Sequence, residues 1–163
     1  MIEATASEVV AAYLISKVGL FIGRPYLTPT WPVTKGAMPV DWTTKISNLG
    51  DNWISILDLT PKSEGKYMSC TPDHSVVDGE SVVKPVVQIL VRSLDYDTAS
   101  VQIRRISCSL SPVHRVIVTC LGDEDVLFHA CCIEQQPAFL YQEEKSRRQV
   151  FVMVAKLSIS GVN

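Results

Sequence analysis

Apolar residues recur along this chain in two rhythms, one near 3.6 residues and one near 2, and their alternation lays out the elements. Close to the N-terminus Ala6, Val10, Leu14, Val18 and Phe21 fall at helical spacing, with Tyr13 beside them. Thr5-Ala6-Ser7-Glu8 has the hydroxyl-to-carboxylate spacing of a capping box, so a helix starts there and closes at Gly19 and Gly23-Arg24-Pro25. A second stripe of Tyr96, Ala99, Ile103, Ile106 and Leu110 predicts a helix capped by Asp95 and ended by Ser111-Pro112. Arg104 and Arg105 lie off that stripe and are expected in solvent.

The remaining apolar runs read as strands. Trp53 to Thr60 is the first, ended by Pro61; Lys62 to Gly65 is a polar turn, and Lys66 to Cys70 a short strand. Asp78-Gly79 between two valine pairs predicts a tight turn. Val86 to Arg92 is apolar on both faces for most of its length, which suits a central position in a sheet. Arg115 to Leu121 and Val126 to Ile133 form a hairpin about Gly122-Asp123-Glu124-Asp125, Pro137 to Gln142 adds a short strand, and Glu143 to Arg148 is a charged turn. The last strand, Gln149 to Ser160, sets Phe151, Met153, Ala155, Leu157 and Ile159 on one face. Prolines 25, 29, 32 and 39 interrupt any regular element between about 25 and 52, where Trp31 and Trp42 are expected to pin an irregular loop by packing. The order predicts one α+β domain over residues 1–163: a mixed, largely antiparallel sheet with two main helices packed on one side. Ile103, Ile106, Val87, Ile89, Phe151 and Met153 are its expected core.

Composition narrows the function. An apolar fraction of 47% and a charged fraction of 20% are those of a globular protein. A formal net charge of −2 lacks the basic footprint of a protein that grips nucleic acid, although it does not exclude one that DNA merely passes. No apolar run reaches the roughly 20 residues of a membrane span, and Met1-Ile2-Glu3 does not open a secretory signal, so folding in a reducing cytoplasm is expected. Five cysteines without CxxC spacing are then expected as free thiols.

Little in the chain points to chemistry. Cys70 with His74, and His129 with Cys131, Cys132 and Cys120, are metal-ligand types, but alternation along a strand puts Cys132 opposite His129 and Cys131. Asp73-His74-Ser75 holds the residue types of a nucleophile and its base without any spacing that brings them together. The acids of Asp123-Glu124-Asp125 and Glu143-Glu144 sit in polar turns. The pairs Arg104-Arg105 and Arg147-Arg148 lack the interleaved aromatics of a nucleic-acid surface. No enzymatic activity, cofactor or metal is expected.

Glu64-Gly65-Lys66-x-Met68, Val87-Gln88-Ile89-x-Val91-Arg92-Ser93, a helix opening Asp95-Tyr96, and Gln142-Glu143-Glu144-x-x-Arg147-Arg148 before a terminal strand resemble the tail-terminator, or tail-completion, proteins of long-tailed bacteriophages, some of them called minor capsid proteins. The resemblance runs from about Trp53 to Ile159. It implies a virion protein forming a hexameric ring at the head-proximal end of the tail tube. Such a ring ends tube polymerisation, meets the head–tail connector, and lets genomic DNA pass without specific binding. Under it, Arg92, Glu143, Glu144, Arg147 and Arg148 are the candidate contact between copies, and Asp123, Glu124 and Asp125 a candidate acidic turn facing the lumen or a partner. The competing readings are another head–tail joining or neck protein, and a small thiol- or metal-dependent enzyme.

Overall fold

Two helices lie on one face of a six-stranded sheet in a computed structural model of the protein, which describes residues 2–18, 33–35, 52–60, 82–120 and 123–162. The first helix, α1 (Ala6–Tyr13), begins as the sequence predicts. The Glu8 N–H donates to Thr5 Oγ1 at 3.3 Å and the Thr5 N–H donates to Glu8 Oε2 at 3.2 Å, which satisfies two otherwise orphaned donors. From Leu14 to Val18 the regular α-helix gives way to a π-helical turn, and the expected continuation to Phe21 lies outside the described residues. The second helix, α2 (Tyr96–Leu110), is capped by Asp95, whose carboxylate accepts from the Thr98 N–H at 3.0 Å.

The strands are β1 (Val33–Lys35), β2 (Trp53–Asp58), β3 (Val86–Ser93), β4 (His114–Thr119), β5 (Asp125–Gln142) and β6 (Gln149–Gly161), in the order β1-β2-β3-β6-β5-β4. β1 pairs with β2 in parallel, and every other pairing is antiparallel, so the fold is the mixed, largely antiparallel α+β arrangement expected. β3 lies between β2 and β6, where a strand apolar on both faces belongs. Its Ile89 faces Met153 and its Val91 faces Phe151 across the β3–β6 ladder. These four side chains join Ile54, Ile56, Ile103, Ile106 and Leu110 in the core under the helices, and all six expected core residues are buried. Burial of an aliphatic or aromatic side chain of this size contributes roughly 1.5–3 kcal/mol, so the helix-facing layer dominates stability. Leu90, Val150 and Val152 form a smaller buried cluster on the opposite face.

Four expectations need correction. Pro137 to Gln142 is not a separate short strand: β5 runs on without a break through Glu134-Gln135-Gln136, with four register shifts against β6. Each extra residue reverses which face the following side chains occupy, so the bulges scramble the period-2 signal that the sequence reading follows. Second, Val33–Lys35 is a strand inside the stretch read as irregular. Third, the strand expected to run to Thr60 ends at Asp58, although the Leu59 and Thr60 N–H groups still reach the Val86 carbonyl at 2.9 and 3.3 Å. Fourth, Tyr96 belongs to the buried stripe by spacing but is 48% exposed, its ring resting on Phe151 and Phe139 at 4.9 and 5.4 Å between centroids. The readings that fall on Trp31, Trp42, Lys62 to Cys70, Asp73-His74-Ser75 and Asp78-Gly79 lie outside the described residues. Among those described, no helix is long and apolar enough to cross a membrane.

Candidate assembly site

The charged turn from Glu143 to Arg148 joins β5 to β6 and closes on itself through backbone bonds. The Glu143 N–H donates to the Arg148 carbonyl at 2.9 Å and the Arg147 N–H to the Glu143 carbonyl at 3.0 Å. Arg147 takes a positive φ of 60°, which turns its side chain outward, and it is exposed together with Glu144 and Lys145. The other charged members turn inward. Glu143 is half-buried and accepts a hydrogen bond from Ser146 Oγ at 3.1 Å. Arg92 Nε and Arg148 Nη1 each stand 3.9 Å from a different oxygen of that carboxylate.

Arg92 is 3% exposed on the sheet face opposite the helices. Its guanidinium carbon lies 4.2 Å from the centre of the Trp53 ring, a cation–π contact, and its Nη1 donates to Ser55 Oγ at 2.8 Å. Desolvation pulls its pKa below the usual arginine value, while Glu143 and the Tyr141 hydroxyl pull it back up. Of the five residues expected to meet a neighbouring copy, Arg92, Glu143 and Arg148 are therefore brought together within one chain. Glu144 and Arg147 remain on the surface. Trp53, Ser55 and Tyr141, which complete the cluster, carry no sequence signal beyond their alternation with the arginine-bearing strand.

At the far end of β5 the acidic turn is also less free than its composition suggests. Asp123 adopts φ 61° and its N–H donates to the Cys120 carbonyl at 3.2 Å, while the Cys120 N–H reaches the Glu124 carbonyl at 2.8 Å. The Glu124 carboxylate accepts from the Glu3 and Ala4 N–H groups at 2.9 and 2.8 Å, fastening the N-terminal segment to the hairpin. Asp125 Oδ1 accepts from Thr119 Oγ1 at 2.7 Å. Only the Asp123 carboxylate of the three points outward without such a role.

Between the two turns β5 offers an open edge. β4 covers it from Asp125 to Ala130 and no further, so from Cys131 to Gln142 it pairs with β6 alone among the described strands. Phe139, Leu140 and Tyr141 stand 44–47% exposed along this arm. Pro137 fits there because an edge strand without an outer partner needs no N–H at that position.

His129 Nε2 is 2.7 Å from Ser160 Oγ, and burial followed by the neighbouring Cys132 pushes the Cys131 thiol up to about 12. A thiol held protonated in this way is a poor nucleophile at neutral pH. Among the described residues no three histidine, cysteine or acidic side chains converge as metal ligands, and Cys70 and His74 lie outside them. No protein-family model matches the chain, and no curated protein matches it.

Proposed function

We propose that the protein is a structural virion component that assembles with its own copies into a hexameric ring at the head-proximal end of a phage tail tube, ending tube polymerisation and joining the tail to the head connector. The observation that supports this reading is the arm of β5: an open edge from Cys131 to Gln142 with Phe139, Leu140 and Tyr141 exposed in sequence. An open strand edge is a feature that proteins keep for partners and otherwise suppress. Closure of a ring requires one repeated head-to-tail contact, which a surface of this kind can supply.

The test is native mass spectrometry with negative-stain imaging of the purified chain, followed by addition to polymerising tube subunits. Uniform rings that shorten or cap the tubes are expected. A protein that stays monomeric at every concentration overturns the reading, and rings that leave tube length unchanged favour a different neck protein.

A further inference from the structure

We infer that Tyr96 and Arg92 are positioning residues for the β5 arm. Each holds one face of it, so the open edge is presented in one orientation before a second copy arrives; that purpose rests on the ring reading above. Phe139 and Tyr141 stand two residues apart, and in a regular strand they would share a face. A register shift separates them: Phe139 faces Phe151 of β6, while Tyr141 faces the adjacent Val150. The extra residue, Leu140, therefore sends the two aromatic rings to opposite faces of the sheet, the re-aiming of a side chain that a bulge provides.

On the helix side Phe139 enters a cluster of three rings. Its centroid lies 5.4 Å from that of Tyr96 and 5.5 Å from that of Phe151, and Tyr96 lies 4.9 Å from Phe151. Phe151 is buried and Tyr96 is the first residue of α2, so both rings stand on fixed elements. On the other side Tyr141, Val150, Arg92 and Trp53 are lateral neighbours in one row across β5, β6, β3 and β2. Arg92 is fixed there against the Trp53 ring and Ser55 Oγ, and it donates to the Tyr141 hydroxyl oxygen. The arm needs such support, because three of the four register shifts fall within it and no outer strand covers it among the described residues. A surface ordered in advance loses less conformational entropy on association, so the two clamps favour assembly without having to touch the partner.

Hydrogen exchange and assembly, measured on the same variants of the full chain, test the assignment. Tyr96→Ala removes one clamp, Tyr141→Phe removes the hydroxyl of the other, and Tyr96→Phe keeps the ring contacts as the conservative control. In dilute monomer the wild-type amides of the arm that bond to β6 should exchange slowly. Tyr96→Ala and Tyr141→Phe should each speed exchange between Glu134 and Gln142 by more than about fivefold, with β3 amides unchanged. Both should need about fivefold or more higher concentration to assemble, while Tyr96→Phe follows the wild type in both measurements. If the wild-type arm exchanges like an unstructured peptide, or if neither variant changes its exchange, the clamps are wrong. If the arm loosens but assembly is unchanged or stronger, the arm is not positioned for a second copy and its bulges only blunt the edge. If the wild type itself never leaves the monomeric state, the ring reading falls, while exchange still decides whether the two clamps hold the arm.

Discussion

Glu143 is the residue on which the far face of the sheet turns. It places one carboxylate near two arginines that are almost wholly removed from water, at 3.9 Å from each. Removing one partner of a buried charge cluster costs more than the cluster itself is worth, because the remaining charges stay buried. Glu143→Ala should therefore lower stability by about 2–4 kcal/mol, read as a shift in the denaturant midpoint at unchanged slope. Arg147→Ala on the exposed side of the same turn should stay within about 0.5 kcal/mol of the wild type. Equal effects from the two would mean that the inward and outward members are assigned wrongly. Cys131 offers a second residue-scale check. Its thiol is raised in the folded protein, from an ordinary 9.0 to about 12, so the fold favours the protonated form. That contribution is fully present below pH 9, where both states are protonated. It declines as pH rises, because the unfolded thiol ionises first, and is gone by about pH 12. Alkylation at pH 8.5 should label the exposed Cys108 and Cys132 faster than the half-buried, protonated Cys131. Equal rates at all three thiols would contradict the raised pKa of Cys131.

At the scale of elements, the helices and β3 were legible because each has one periodicity and one buried side. The Thr5 and Asp95 caps, the stripe from Ala99 to Leu110 and the two-faced run of β3 all agree with the structure. β5 was not legible. Glu134, Gln135 and Gln136 look like a linker because they are polar, yet they continue a strand whose outer edge is open and whose bulges break the alternation. Gln102 is a smaller instance: it is polar by type but lies between Ala99 and Ile106 on the buried side of α2, its Nε2 lacking a hydrogen-bond partner among the described residues. The inward cluster at Arg92 was half legible, since charge type was visible but direction depends on strand register. The decisive test of the helix stripe is Ile103→Asp. An unpaired carboxylate under α2 costs several kcal/mol against a typical total of about 5–15, so insoluble or unfolded protein is expected. Soluble, cooperatively folding Ile103→Asp protein would show that α2 does not seal the core as described.

For the whole molecule, β5 sets two turns of different character at opposite ends, with the mixed-charge turn next to the open edge and the acidic turn remote from it. In a closed ring any surface turn repeats once per copy, so an outward acid becomes a belt of negative charge. Composition offers three acids for that belt, but the structure commits Glu124 to the N-terminal backbone and Asp125 to Thr119, which leaves Asp123. The roles can be separated. Glu124→Gln keeps the shape but weakens two charge-assisted bonds to Glu3 and Ala4, and should cost about 1–3 kcal/mol of stability. It should act on the monomer, visible as a lower melting temperature before any assembly step. Asp123→Asn removes the outward charge, and asparagine tolerates the positive φ at this position, so melting and ring formation should be unchanged. Its effect should appear only when rings are offered tails, heads and DNA: if the belt repels the passing genome or meets a basic rim on a neighbour, joining in a reconstitution assay falls and the deficit depends on ionic strength. Full joining activity from Asp123→Asn at low and high salt would remove the acidic turn from the mechanism and leave it as the fastening point of the N-terminal segment.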